Sequence, residues 1–438
     1  MAKTKELKTD DPALEQPQQM SEAEKKIQEA NSTPVAVQTA ESTEERGITG
    51  MLNDIVLTAL NKRASDIHLE PHEGKMVVRY RIDGILKDVY NIEKKYEETL
   101  VFKVKVNAKL RTDEHFAPQD GRIRFNFDEK LDTRISILPT AKGEKVVIRL
   151  LSQRGRSFKL SDLGFRENEL KMVKKAYMKP YGSIFASGPT GSGKTTSLYA
   201  ILQTINSREI NITTVEDPVE YEIDGVNHVQ INKKGGLTFG DGLRSILRQD
   251  PDVIMVGEIR DSETAKIATN AALTGHLVLS TIHTNDAVTT IPRLIDMGVE
   301  PYLVATTVNL VIAQRLARKI DESKKQAKKL SQEEYDELKL YRPDIAAHLK
   351  VGDTVYEPEA PKGTATIEDG YKGRVGLYEV LEVSEEIRKI IITGANTDQI
   401  YNQARKEGLK LILEDGIEKM REGVISLSEL IRVTALKE

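Results

Sequence analysis

The chain has 438 residues, of which 39% are apolar and 30% charged, with a net charge of −4 and no cysteine. That length allows about three domains of ~150 residues. The missing thiols exclude disulfides, thiolate zinc sites and cysteine nucleophiles, and make a reducing cytoplasm the expected compartment. The mild acidity argues against a protein built to coat nucleic acid or an anionic membrane.

No signal peptide is visible in MAKTKELKTDDPALEQ, and the longest apolar-rich stretch, YLVATTVNLVIA (302–313), is about half a bilayer span. Residues 1–46 hold no Phe, Tyr or Trp. Such a segment cannot bury enough apolar surface to offset its ordering entropy, so a disordered tail is expected, with one short helix near 21–30. MLNDIVLTALNKRA (51–64) has helical apolar spacing. The strands DIHLE, KMVVRYRID and GILKDVY follow, then a helix at 93–111 and strands near 122–127, 131–138 and 145–151. Residues 47–151 thus read as a small α+β domain. SQRGRSFKLSD (152–162), polar and basic, reads as an interdomain linker.

From 163 to the end the rhythm is that of an α/β domain. SIFASG leads to a helix from Lys194, INITTVE to a loop, DVIMVGE to a helix and HLVLSTI to another. Repeated βα units predict a mainly parallel sheet with helices on both faces. Residues 301–319 and 331–349 are expected to be helical, 355–373 irregular, and three helical segments finish the chain. About 301–438 is therefore read as a helical part of the large domain.

GPTGSGKTT (188–196) fits G-x-x-x-x-G-K-[ST] between a strand and a helix. In that setting Gly188, Pro189, Thr190, Gly191, Ser192 and Gly193 curl backbone amides around phosphates. Lys194 reaches the β- and γ-phosphates, and Thr195, followed by Thr196, offers a hydroxyl to Mg²⁺. A glycine-rich turn that merely contains a lysine is the alternative. DVIMVGEI (252–259) ends a strand with Glu258, at the sheet edge where ligands bind in parallel α/β proteins. Glu258 is read as facing Mg²⁺, directly or through water, and the attacking water; a helix cap or salt-bridged acid is the bland reading. Glu216 and Asp217 end another strand. Two acids make sense if one belongs to the metal shell and the other orients water, and the sequence does not assign which.

TGHLVLSTIHTN (274–285) raises a separate question. His276 enters the strand and His283 leaves it, and their odd separation turns the two rings to opposite faces. That argues against one shared metal.

These motifs, together with SDIHLEP (65–71), RYRIDG (79–84), PQDGRI (118–123), DTRIS (132–136), GEKVVIRLL (143–151), LRSILRQD (243–250), AQRLARK (313–319) and GYKGRVGLYE (370–379), resemble the type IV pilus assembly and type II secretion ATPases. The resemblance implies a RecA-like P-loop ATPase core, a small PAS-like domain and ATP hydrolysis with Mg²⁺. Glu216 takes the place of the acidic-box glutamate, active on water or in the metal shell, and Glu258 that of the Walker B glutamate. His276 and His283 become coupling residues near the nucleotide; the alternative is a histidine merely satisfied at a strand edge. Arg134 and Arg149 are implied to reach the nucleotide from the small domain, and Arg244 and Arg248, four apart on one helix, to act across a subunit boundary. Ordinary surface salt bridges are the alternative for each pair.

The implied assembly is a homohexamer beneath a polytopic inner-membrane platform protein, peripheral to the membrane, acting indirectly on a pilin or pseudopilin fibre and not on nucleic acid. Two departures from the family stand out. Many relatives carry a tetracysteine zinc site where this chain has the charged, cysteine-free run 320–350, so zinc is not expected there. A further folded N-terminal domain is replaced by 46 polar residues. A competence-pseudopilus or secretion ATPase is the competitor within the class; a DNA-translocating ring, or a scaffold that binds ATP without turning it over, are the competitors outside it.

Overall fold

The computed structural model describes residues 47–128, 130–151, 158–232, 235–359, 370–394 and 396–435. The expected tail at 1–46 and its short helix, the first six residues of the expected linker, and 360–369 lie outside the described residues.

The small domain is a six-stranded antiparallel sheet: β1 (Ala64–His72), β2 (Lys75–Ile82), β3 (Ile85–Glu93), β4 (Gln119–Asn126), β5 (Lys130–Thr140) and β6 (Gly143–Leu151), in the order β3-β2-β1-β6-β5-β4. Alternating side chains such as Ile67, Leu69, Ile135, Ile137, Val146 and Ile148 point to one face. There they pack with Leu52, Ile55 and Val56 of helix Gly47–Asn61 and Leu100 and Val104 of helix Lys94–Asn107. The other face carries the polar half of the alternation, and it is this face that bears the arginines.

The large domain is built on seven strands: β7 (Gly182–Ser187), β8 (Ile212–Glu216), β9 (Val226–Gln230), β10 (Val253–Val256), β11 (Leu277–Ile282), β12 (Val308–Ile320) and β15 (Tyr371–Glu382), in the order β15-β12-β7-β11-β10-β8-β9. All neighbours are parallel except β12 and β15. Every residue of β7, β8, β10 and β11 is buried, because helices cover both faces. Ile184, Met255 and Leu279 pack toward helices Glu167–Tyr177 and Lys194–Ile205, whereas Phe185, Ile254 and Val278 pack toward Ser262–Leu273 and its neighbours. A third, smaller core joins the antiparallel pair β13 (Lys325–Lys329) and β14 (Thr354–Pro358) to helices Gln332–Tyr341, Pro343–Ala346, Ile412–Arg421 and Leu427–Thr434.

The expected helix over 301–319 is corrected. Only Pro301–Thr307 is helical, and Val308–Ile320 is a strand beside β7. A continuous apolar run gives no period to separate a buried strand from a buried helix, and here parallel pairing to β7 wins. The expected irregular stretch over 355–373 is likewise corrected at both ends, since Thr354–Pro358 is β14 and Tyr371 already begins β15. Among the described residues no helix is long and apolar enough to cross a membrane.

Candidate nucleotide-binding and catalytic site

β7 delivers the chain to the phosphate loop at the carboxyl edge of the sheet, and helix Lys194–Ile205 leaves from it. Gly188 has φ +137°, and a Cβ there would stand 2.5 Å from the Gln314 carbonyl and 2.7 Å from Ser192 Oγ. Gly193, at φ +90°, would bring a Cβ to 3.0 Å from Gln314 Nε2. Gln314 itself is buried on β12 and clasps the loop: Nε2 donates to the Ser192 carbonyl at 2.7 Å and Oε1 accepts Ser197 Oγ at 2.9 Å. The loop is thus held from a neighbouring strand. Pro189, Thr190 and Gly191 are exposed at its tip, and Thr195 and Thr196 are half-buried in the first helical turn.

Lys194 Nζ donates to the carbonyls of Gly188 at 2.8 Å and Pro189 at 3.0 Å. Burial pulls its ammonium down to about 8; Glu258 pulls it back up and Arg315 pushes it further down. Ser192 Oγ is buried without a hydrogen-bond partner. A glycine cradle, an orphaned hydroxyl, a half-desolvated lysine and the free amides of a helix start together fit a phosphate chain.

The two candidate glutamates sit in different surroundings. Glu258 follows β10, has a mostly buried carboxylate that still meets solvent, and lies 2.5 Å from Arg260 Nε and 3.6 Å from His283 Nε2. Glu216, the last residue of β8, is 2% exposed, and donors hold both its oxygens. Tyr199 Oη stands 2.5 Å from Oε2, while Thr214 Oγ1 at 2.5 Å and His228 Nδ1 at 2.9 Å meet Oε1. Burial next to this carboxylate raises the Tyr199 phenol far above its ordinary value. Glu216 is therefore locked, and Glu258 is the acid with a free aspect. His228 was missed from sequence because β9 was read as loop.

On the small domain's polar face, register lines up Asp66, Arg149, Arg134 and Arg122 across β1, β6, β5 and β4. Arg134 crosses to the large domain and donates Nη2 to the Val219 carbonyl at 2.9 Å, just after Glu216. Its pKa is lowered by burial first; Glu220 and Asp217 pull it up, and Arg122 and Arg149 push it down. Arg149 Nε is paired with Asp66 at 2.8 Å. Arg122 lies within PQDGRI, and the pairing register, which sequence does not state, brings it to Arg134.

Arg244 is paired with Asp241 at 2.9 Å and Glu263 at 2.6 Å on the exposed surface. The expected shared helix face is corrected: the helix Phe239–Ile246 ends before Arg248, which turns back to the Arg244 carbonyl at 2.8 Å and Ser245 Oγ at 3.1 Å. Arg315 was also missed. Its Nη2 donates to the Asn285 carbonyl at 3.0 Å, and Nη1 would lie 3.3 Å from a Cβ on Gly188.

The two histidines part company. His283 leaves β11 beside Glu258. His276 precedes β11 at the opposite edge, about 20 Å away at strand rise, with Nδ1 2.9 Å from the carbonyl of Ala271 near the end of helix Ser262–Leu273. A place near the nucleotide is therefore corrected for His276. Among the described residues no group of three or more His, Cys, Asp or Glu side chains could hold a metal alone. Thr195 and Glu258 carry oxygen donors of the kind Mg²⁺ takes when substrate phosphates supply the rest.

A family model described as "Type II/IV secretion system protein" matches residues 41–432. The chain belongs to this family. It is 44% identical over 393 residues to the type II secretion system protein E of Xanthomonas campestris pv. campestris, covering 89% of this chain and 68% of that one. It is 42% identical over 400 residues to the type IV pilus assembly ATPase PilB of Myxococcus xanthus, covering 90% and 69%. Among solved structures, the pilus retraction motor PilT with bound ADP superposes with a TM-score of 0.59 at 25% identity, over 88% of this chain and 97% of that one. The ATPase DotB of Legionella pneumophila does so with 0.66 at 22% identity, over 90% and 98%. This member of the family is an ATP hydrolase of the type II secretion and type IV pilus class, with a RecA-like core that uses nucleotide.

Proposed function

We propose that the chain is a homohexameric motor that hydrolyses ATP at the cytoplasmic face of a membrane and drives a polytopic platform protein to assemble a type IV pilus or pseudopilus. The triphosphate lies on residues 188–196, with the rest of the nucleotide toward the small domain. Two residues beyond Leu316, which faces Gly193, Arg318 lines a cavity of about 290 Å³ shared by Lys62, Arg63 and Asp83 of the small domain. That cavity supports a nucleotide held between two bodies.

Glu258 orients the attacking water and takes its proton. Glu216, with both oxygens engaged, positions the 217–220 segment against Arg134. Arg134, seconded by Arg122 and Arg149, stabilises the charge that spreads over the γ-phosphoryl oxygens in flight, a role worth ~10³–10⁵ in rate. Mg²⁺, held by Thr195 and Glu258 directly or through water, would neutralise the β- and γ-phosphate charge. Arg244 and Arg248 act on a neighbouring subunit. Changing phosphate contacts alters how the small domain sits on the large one, a rigid-body switch.

The observation that carries this reading is the contrast between a sealed Glu216 and an accessible Glu258 facing the Lys194 loop. Glu258→Gln is expected to keep ATP affinity within about twofold and to lose kcat by ~10²-fold or more, since general-base catalysis contributes that much. Single-turnover hydrolysis and equilibrium binding measure the two. Normal turnover in that variant contradicts the assignment.

A further inference from the structure

Glu379 is absent from the scheme above, yet it is a carboxylate buried to 3% exposure at the edge of the site. It stands on β15 opposite Ala313 of β12. Its Oε1 accepts the Ala287 amide at 2.8 Å, and the amide of Ile412, first residue of helix Ile412–Arg421, is close enough to favour its charged form. One side chain thus joins the C-terminal helices to the segment that follows His283.

The same segment is gripped by a second side chain. Arg315, two residues along β12 from Ala313 and on the same face, donates to the Asn285 carbonyl and approaches Gly188 of the phosphate loop. Within the segment, Asp286 Oδ1 accepts the Thr289 amide at 2.7 Å and the Asp286 carbonyl accepts Thr284 Oγ1 at 3.1 Å. His283, at its head, lies beside Glu258. We propose that Glu379 is a positioning residue for ATP hydrolysis, which sets residues 283–287 against Glu258 and the phosphate loop and ties that placement to the C-terminal helices.

A carboxylate in so dry a place is expensive unless the place uses it. Burial pushes Glu379 up to about 7; the Ala287 and Ile412 amides and Arg315 pull it down, and Asp286 pushes it up. Arg405, the other charge that feels it, is paired with Glu414 at 2.6 Å. The ionised form accepts the Ala287 amide more strongly and attracts the Ile412 amide and Arg315, so the placement tightens as pH rises through about 7 and loosens below it.

The inference rests on Glu258 as the reacting acid, and the tests separate the two. In the full-length protein, Glu379→Ala is expected to lower kcat about tenfold, as small misplacements of reacting groups do. Its affinity for a non-hydrolysable ATP analogue stays within about twofold, because the phosphate loop is held by Gln314 and not by Glu379. Glu379→Gln, which still accepts an amide but cannot ionise, is expected to restore kcat to within about threefold and to flatten the step in kcat near pH 7. A fall in analogue affinity matching the fall in kcat, or a glutamine variant as slow as alanine, overturns the proposal. If the alanine variant does not fold, the glutamine variant decides alone, and a native-like pH step in it overturns the proposal. Normal turnover by Glu258→Gln alongside the expected Glu379 results would refute the Glu258 reading while leaving Glu379 as the group that holds the segment.

Discussion

The phosphate loop and the arginine surfaces of this ATPase are built on opposite plans. Gln314 clasps the loop from behind, glycines fit where a Cβ would strike Gln314 or Ser192, and Lys194 is held over the loop's carbonyls. It is complete within one domain. The arginines are complete nowhere: Arg134 reaches only as far as the Val219 carbonyl, Arg149 is occupied by Asp66, Arg244 is paired with Asp241 and with Glu263 of the next helix, and Arg248 bonds back to its own helix region. In the proposed scheme the phosphate grip belongs to one body, whereas the rest of the nucleotide and the chemistry need several bodies brought together.

Substitution can break that contrast. The largest effect is expected at Arg134, the small-domain guanidinium already in contact with the acidic segment. Arg134→Ala should lower kcat by about 10³-fold, with analogue binding nearly unchanged, as steady-state kinetics beside equilibrium titration would reveal. Lysine should rescue little, since a point charge cannot reproduce the planar fork. Comparable losses of affinity and turnover would place Arg134 in ground-state binding and erase the division between the two regions.

A smaller and graded effect belongs to the loop. Lys194 titrates near 8 in the free protein, and a triphosphate beside it must raise that value, so binding requires the protonated form. ATP affinity should be level below about pH 7.5 and fall by up to tenfold per pH unit above about 8, until the bound-state pKa is reached. Calorimetry across that range in two buffers of different ionisation enthalpy would also register proton uptake. Affinity independent of pH to about 10 would mean that Lys194 is less desolvated than its burial implies.

The local parts of this design were legible in sequence. The glycine spacing, Lys194 and the acid closing β10 are each decided within a few residues, and the strand-to-helix rhythm places them on the ligand-binding edge. What escaped depends on partners far along the chain. Gln314 and Arg315 lay in a run whose apolar residues carry no period, so their strand was read as helix and their hold on the loop went unseen. Arg122 becomes Arg134's neighbour through antiparallel register, and His228 becomes Glu216's through an edge strand of ordinary composition. His276 shows the converse error. Two histidines of one motif stand at opposite ends of a strand, and family likeness alone draws both to the nucleotide.

The account's central claim is that hydrolysis is completed between subunits, and mixing two inactive proteins tests it most directly. Lys194→Ala subunits lack the phosphate grip but retain their arginines; Arg248→Ala subunits retain the grip. Equimolar mixing and co-assembly, followed by phosphate release, should recover activity well above the sum of the two alone, because each supplies what the other lacks. Activity that never exceeds the sum, in assemblies shown to contain both subunits, would contradict the account and leave the arginine acting within its own chain.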